Sequence, residues 1–171
     1  MLSSAKILNS ILILYLIDKM DLPLTKKQIE SFALKHMDFF ALQESLQNLL
    51  NISYIESHNN NSTTKYTLTE EGFQSLEYFQ ENLGIDLKNE IQQYVLENRK
   101  TIKRDYETTA NYFKTLNSED FTVKCALYED STMLMEINLS VVSKEQAKLI
   151  CTNWKKNITK LYGAILDNLI E

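Results

Sequence analysis

The chain has 171 residues, 44% of them hydrophobic and 24% charged, with a net charge of −5, which allows a full core in one domain of ordinary size or two small ones. The acidic balance lacks the basic footprint that marks many nucleic-acid binders. Glycine only at 72, 84 and 163 excludes a Gly-rich phosphate loop, and Cys125 and Cys151, without CxxC spacing, are expected as buried, reduced core residues.

Residues 4–19 are predicted as a helix that is apolar on nearly every face, broken only by Lys6, Asn9 and Ser10, so it should be buried on more than one side. Its unbroken apolar run, 11–17, is too short to span a bilayer. No small-residue cleavage site follows, so a cytoplasmic protein with no membrane partner is expected. Asp21-Leu22-Pro23-Leu24 ends the helix. Thr25-Lys26-Lys27-Gln28 is a capping box, in which the Thr25 hydroxyl and the Gln28 side chain satisfy orphan amides at the start of a short second helix reaching about residue 35. Asp38 caps a third helix, 39–51, whose inward positions Leu42, Leu46 and Leu49 recur four and three apart.

The period then changes. Residues 53–57 and 65–68 are short β-type runs around a polar stretch, 58–64, which predicts a hairpin with a loose tip. Thr69 caps a helix over about 70–82, and another follows Asp86 to about residue 100. Beyond it the chain alternates. Ile102, Tyr106, Thr108, Ala110 and Tyr112 make one strand; Phe121, Val123, Cys125 and Leu127 a second; Met133, Met135, Ile137, Leu139 and Val141 a third. Polar turns at 117–120 and 129–131 join them into an antiparallel meander with one buried face. Ser143-Lys144-Glu145-Gln146, a second capping box, opens a long final helix.

Chemistry-bearing clusters are sparse. His36 and His58 have no ligand-type residue at metal spacing, so no metal site is expected. The acidic pairs Glu70-Glu71, Glu119-Asp120 and Glu129-Asp130 fall at a helix start and at turns, where they suit the helix dipole or solvent rather than a catalytic dyad. No catalytic residue and no cofactor site is read, so an enzyme is not expected. Met133 and Met135 with Tyr106 and Tyr112 are candidate linings of a small-molecule effector pocket, the alternative being a filled sheet face.

The order helix, short helix, helix, hairpin, helix is that of a winged helix domain. Ala41-Leu42-Gln43-Glu44-Ser45-Leu46-Gln47-Asn48-Leu49 followed by Ser53-Tyr54-Ile55 resembles the recognition helix and first wing strand of bacterial regulators of the MarR and PadR type. Lys65-Tyr66-Thr67-Leu68-Thr69-Glu70-Glu71-Gly72 resembles their second wing strand and the helix after it, a pattern Y-x-L-T-x-x-G matched by Tyr66, Leu68, Thr69 and Gly72. The resemblance covers roughly residues 20–75. The whole chain, including Glu145-Gln146-Ala147-Lys148-Leu149-Ile150-Cys151 and Trp154, also resembles a bacterial family described only as a domain of unknown function with winged-helix character.

The resemblance implies a transcriptional regulator whose partner is double-stranded DNA. A helix fits the major groove while a hairpin reaches phosphates or an adjacent minor groove. Phe39, Gln43, Glu44 and Gln47 would then face the groove. Thr25, Lys26, Lys27 and Lys65 would meet phosphates, and Asn60 and Asn61 belong to the wing, about 58–65. Against the usual pattern, helix 39–51 holds no Lys or Arg, and residues 1–80 carry six lysines against nine acidic residues, a net of −3. Because phosphate neutralisation supplies most non-specific affinity, two alternatives stand: a dimer that doubles the footprint, or a protein-interaction module that does not bind DNA. A ligand-sensing domain joined to a vestigial wing is a third.

The final helix bears on the dimer. Cys151, Trp154, Ile158, Leu161 and Ile165 step three, four, three and four, a heptad-type seam flanked by Tyr162, Leu166, Leu169 and Ile170. Trp154, Ile158, Leu161, Tyr162, Ile165 and Leu169, with Ile11 and Tyr15 of the first helix, are the candidate interface of a homodimer, the alternative being that the first helix covers the seam within one chain. The expected architecture is α+β: a winged helix domain over 1–82, then a linking helix, a three-stranded antiparallel meander and a long C-terminal helix over 83–171.

Overall fold

A helix without a polar face has to be surrounded, and α1 (Ser4–Met20) is: residues 11–17 are all buried, as is Met20. The structure is a computed structural model describing residues 4–60, 63–130 and 132–170. It divides into two compact units, residues 1–102 and 103–171, and α1 lies in the core of the first. The chain continues through β1 (Leu24–Thr25), α2 (Lys26–Ala33), α3 (Phe39–Asn51), β2 (Ile55–Asn60), β3 (Thr63–Leu68), α4 (Glu70–Phe79), a 3-10 turn (Gln80–Asn82) and α5 (Ile85–Glu107). α2, α3, α4, β3 and the 3-10 turn all touch α1. The strands form one antiparallel sheet ordered β1-β3-β2, an arrangement compatible with a winged helix.

Two features of this sheet differ from expectation. The hairpin strands are longer than the runs read from the sequence, because the polar residues His58, Asn59 and Thr64 continue the ladder opposite Lys65, Thr64 and Asn59. And a further strand exists: β1 pairs Leu24 with Tyr66 and Thr25 with Lys65. Its Thr25 is at once the last strand residue and the cap of α2, where the capping box is present in both directions, Gln28 N to Thr25 Oγ1 at 3.2 Å and Thr25 N to Gln28 Oε1 at 2.8 Å.

α3 starts where Asp38 accepts from the Ala41 amide at 2.9 Å, and it buries Leu42, Ser45, Leu46 and Leu49. It ends in a Schellman-type turn. Ser53, at φ 58°, donates to the Leu50 carbonyl, and Tyr54 donates to that of Leu49. This turn is tied to the start of α4. The Thr69 amide donates to the Tyr54 carbonyl, while the Thr69 hydroxyl donates to the Ser53 carbonyl at 2.7 Å and accepts from Gly72 N at 3.0 Å. Gly72 lies so close that a Cβ there would sit 2.0 Å from the Tyr54 carbonyl oxygen.

α5, which the sequence reading places after a boundary at residue 82, gives Ile91 and Ile102 to the first core. Its Arg99 donates to the Met20 carbonyl at 3.0 Å and to Asp21 at 2.9 Å, closing the C-terminal end of α1. The Tyr94 hydroxyl donates to the Gln28 carbonyl at 3.1 Å, and its ring packs 5.2 Å from that of Phe32. α5 runs to Glu107, so Ile102 and Tyr106, expected on a strand, are helical.

In the second unit β4 (Thr108–Lys114), β5 (Phe121–Glu129) and β6 (Thr132–Val141) form the expected meander, followed by α6 (Lys144–Ile170). Register pairs Ala110 with Cys125, Tyr112 with Val123, and Cys125 with Ile137, gathering the alternating apolar residues on one face. Val123, Cys125, Ala147, Trp154 and Ile158 are the buried centre of this face and its helix. A bulge at Leu127/Tyr128 places Met133 opposite Tyr128, out of step with Met135, and Met133 is exposed. Met135 and Tyr112 pack on the core while Tyr106 sits on α5, so the four residues expected to line an effector pocket do not share one strand face. No helix among the described residues is long and apolar enough to cross a membrane.

Gly72→Ala is expected to destabilise the first unit by about 1–3 kcal/mol, the range for forcing a methyl into a packed site. The contact is with backbone, which cannot rotate away. Urea denaturation followed by circular dichroism measures it, and an unshifted midpoint would contradict this account of the junction.

Candidate nucleic-acid interface

The structure gathers the residues proposed from sequence into two groups and rearranges one of them. Because Thr25 lies opposite Lys65 across β1 and β3, the start of α2 and the wing strand are neighbours, which the sequence alone did not reveal. Lys27 is exposed, and Lys26 is half-buried, 3.9 Å from Glu30 and with its ammonium 5.5 Å from the centre of the Phe39 ring. Thr25, Lys26, Lys65 and Phe39 therefore form one patch, where a capped helix start meets cationic side chains. The Thr25 hydroxyl is occupied as the cap.

On α3 the burial of Leu42, Ser45, Leu46 and Leu49 leaves Phe39, Phe40, Glu44 and Gln47 on the outward side. Phe40, not singled out from the sequence, is 82% exposed, and its ring meets that of Phe39 edge-on at 6.0 Å. Glu44 forms an ion pair with Lys6 of α1, so the acidic side chain on this face has a cation beside it that comes from outside the helix-turn-helix segment. Gln47 donates to Asn51 at 3.0 Å. Gln43 departs from its expected position: it is half-buried, and its Nε2 is shielded from solvent with no hydrogen-bond partner among the described residues. Asn60 ends β2 opposite Thr63, and Asn61 lies outside the described residues.

The candidate dimer residues separate likewise. Ile11 and Tyr15 are buried in the first core, and Trp154 and Ile158 in the second. Farther along α6, Leu161 and Leu169 are exposed, with Leu166 and Ile170, while Tyr162 and Ile165 are half-buried. The seam read from the sequence is thus spent on the sheet in its first half and uncovered in its second.

Other groups offer little chemistry. A cavity of about 370 Å³ opens at the end of α1 beside the start of α4, but Asp18, Asp21 and Glu70 line it, so it repels anions. Among the described residues no cluster of His, Cys, Asp and Glu is arranged to hold a metal ion. Burial pushes the Cys125 thiol up to about 11, with Cys151 adding to the effect, and burial raises Cys151 as well.

A family model described as a domain of unknown function, DUF4364, matches residues 9–169, and the chain belongs to that family. No curated protein and no solved structure matches it. The family match begins within α1 and ends within α6, so both units belong to the family's common architecture.

The thiols give a direct test of the second core. With Cys125 protonated to about pH 11, its thiolate fraction at pH 8 falls on the order of a hundredfold below that of an ordinary thiol. Labelling by a disulfide reagent should be slower by at least that factor in the native protein than in urea. The folded state also keeps a proton that the unfolded state releases, so this contribution to stability is full below the unfolded thiol pKa and is lost as pH rises toward 11. Rapid native labelling of Cys125 would contradict the burial described.

Proposed function

We propose that the chain is a DNA-binding transcriptional regulator acting as a homodimer, with α3 in the major groove and the β2–β3 hairpin on the backbone or an adjacent minor groove. The observation that carries this reading is the outward face of α3. It takes no part in the chain's own core and stands beside a capped helix start with Lys26 and Lys27 and a strand bearing Lys65. That is the layout a helix-turn-helix needs: a helix end for base edges, and flanking amides and lysines for phosphates. The reading assigns no catalysis.

Charge argues for the dimer. With a net of −3 over residues 1–80 and few lysines near α3, one copy neutralises few phosphates, and its affinity should be weak with a shallow salt dependence. Two copies related by a two-fold axis double the contacts and present two α3 helices to successive major grooves. The surface proposed for pairing is the second half of α6, where Leu161, Leu166, Leu169 and Ile170 are exposed. A second reading, a protein-docking module, is supported by the absence of Lys and Arg from α3 together with its exposed aromatic pair.

Binding to genomic duplex fragments, measured by fluorescence anisotropy at several salt concentrations, tests the first reading. Lys27→Ala and Lys65→Ala should each weaken binding to all sequences and lower the salt slope by about one. No salt-sensitive binding at low ionic strength would overturn the regulator and favour the docking module.

The dimer is tested separately by sedimentation. Leu161→Glu with Ile165→Glu should give a folded monomer that loses duplex affinity at the same time, since burying unpaired carboxylates in an apolar interface is strongly unfavourable. A wild-type chain that sediments as a monomer at micromolar concentration would remove the dimer from the proposal.

A further inference from the structure

The composition of the exposed α3 face restricts what kind of sequence it reads. Guanine is most often recognised by Arg or Lys, which pair bidentately with O6 and N7, and α3 has neither residue. Cytosine is recognised by a carboxylate accepting from N4. The carboxylate on this face, Glu44, is ion-paired with Lys6. What the face does offer is apolar and amide chemistry. Phe39 and Phe40 stand at the first turn, 49% and 82% exposed and set edge-on to each other. Gln47 lies two turns on, exposed, and donates to Asn51 at 3.0 Å.

The N-terminal residues of a recognition helix are the ones that reach base edges. The apolar group that a major groove presents there is the thymine C5 methyl, which phenylalanine contacts directly. An exposed aromatic pair on a soluble surface also carries an unfavourable hydration that such a contact removes. The surroundings suit the same occupant by charge: Lys26 sits over the Phe39 ring at 5.5 Å, with Lys27 next in sequence and Lys65 across the sheet from Thr25, so the apolar tip is flanked by cations suited to phosphates. Gln47 supplies the acceptor and donor that match adenine N6 and N7.

Resting on the regulator reading above, we infer that the α3 face reads A·T-rich duplex, with Phe39 and Phe40 contacting thymine methyls and Gln47 contacting adenine, and that it has no means of selecting guanine. Sites recovered by selection from random-sequence duplexes should be rich in A·T at the positions under α3. In the best such duplex, deoxyuridine replaces thymine, removing the methyl and leaving every hydrogen-bonding edge intact. Affinity should fall by about fourfold for each contacted methyl, the effect of one buried carbon. The same replacement should cost Phe40→Ala less than the wild type, by the factor belonging to the methyl that Phe40 contacts, since the substituted side chain is on the surface and outside the core. Salt-sensitive binding that is indifferent to deoxyuridine, or selected sites centred on G·C pairs, would overturn this inference and leave the regulator standing. No binding to any duplex would overturn both.

Discussion

Seven successive buried positions on α1 organise the first unit. At 100° per residue they pass almost twice around the helix, so no single partner can cover them, and the rest of the unit is arranged as a sleeve. α2 and α3 lie against it, β3 and α4 take further sides, and the 3-10 turn closes another. Each large apolar side chain so covered contributes about 1.5–3 kcal/mol as an upper estimate. The sleeve therefore has a strong reason to close completely, and Arg99 shows how the far end is finished: its guanidinium takes the carbonyl that α1 leaves unpaired at Met20 and pairs with Asp21.

The same demand determines which face of α3 is available. Leu42, Leu46 and Leu49 are drawn toward the core, and the turn at Ser53 and Tyr54 is anchored through Thr69 and Gly72 to α4. With both ends of α3 held, by the Asp38 cap at one and this junction at the other, the outward residues are presented on a rigid element rather than a loop. In the proposed reading that rigidity compensates for a modest charge: an interface that cannot rely on many phosphate contacts needs its base-edge contacts well placed.

Much of this was legible in the sequence, and the failures have physical causes. The bounds of α3 follow from Asp38 and the leucine spacing, and the meander follows from strict alternation interrupted by polar turns. β1 was missed because two residues show no periodicity; only the partner strand makes Leu24 and Thr25 a strand. Ile102 and Tyr106 are four apart, a spacing that helix and strand share, and the helix prevails because Ile102 has a place in the first core. The left-handed turn at Ser53 carries no glycine to announce it. At the candidate site, the Lys6–Glu44 pair spans two helices, and the shielding of Gln43 depends on packing that no local pattern encodes. Ile11, Tyr15, Trp154 and Ile158 read as interface because surplus apolar width looks the same in sequence whether the covering surface comes from the same chain or from another; here the same chain covers them.

The sleeve around α1 also has a consequence for biosynthesis. The helix emerges before everything that shelters it, and its core includes Ile102, 85 residues after Ile17. At about 5–20 residues per second of translation, that interval lasts roughly 4–17 s. During it the run 11–17, a stretch of Ile, Leu and Tyr, is made but its core is not yet complete. The core of the first unit can therefore close completely only after Ile102 of α5 has been made.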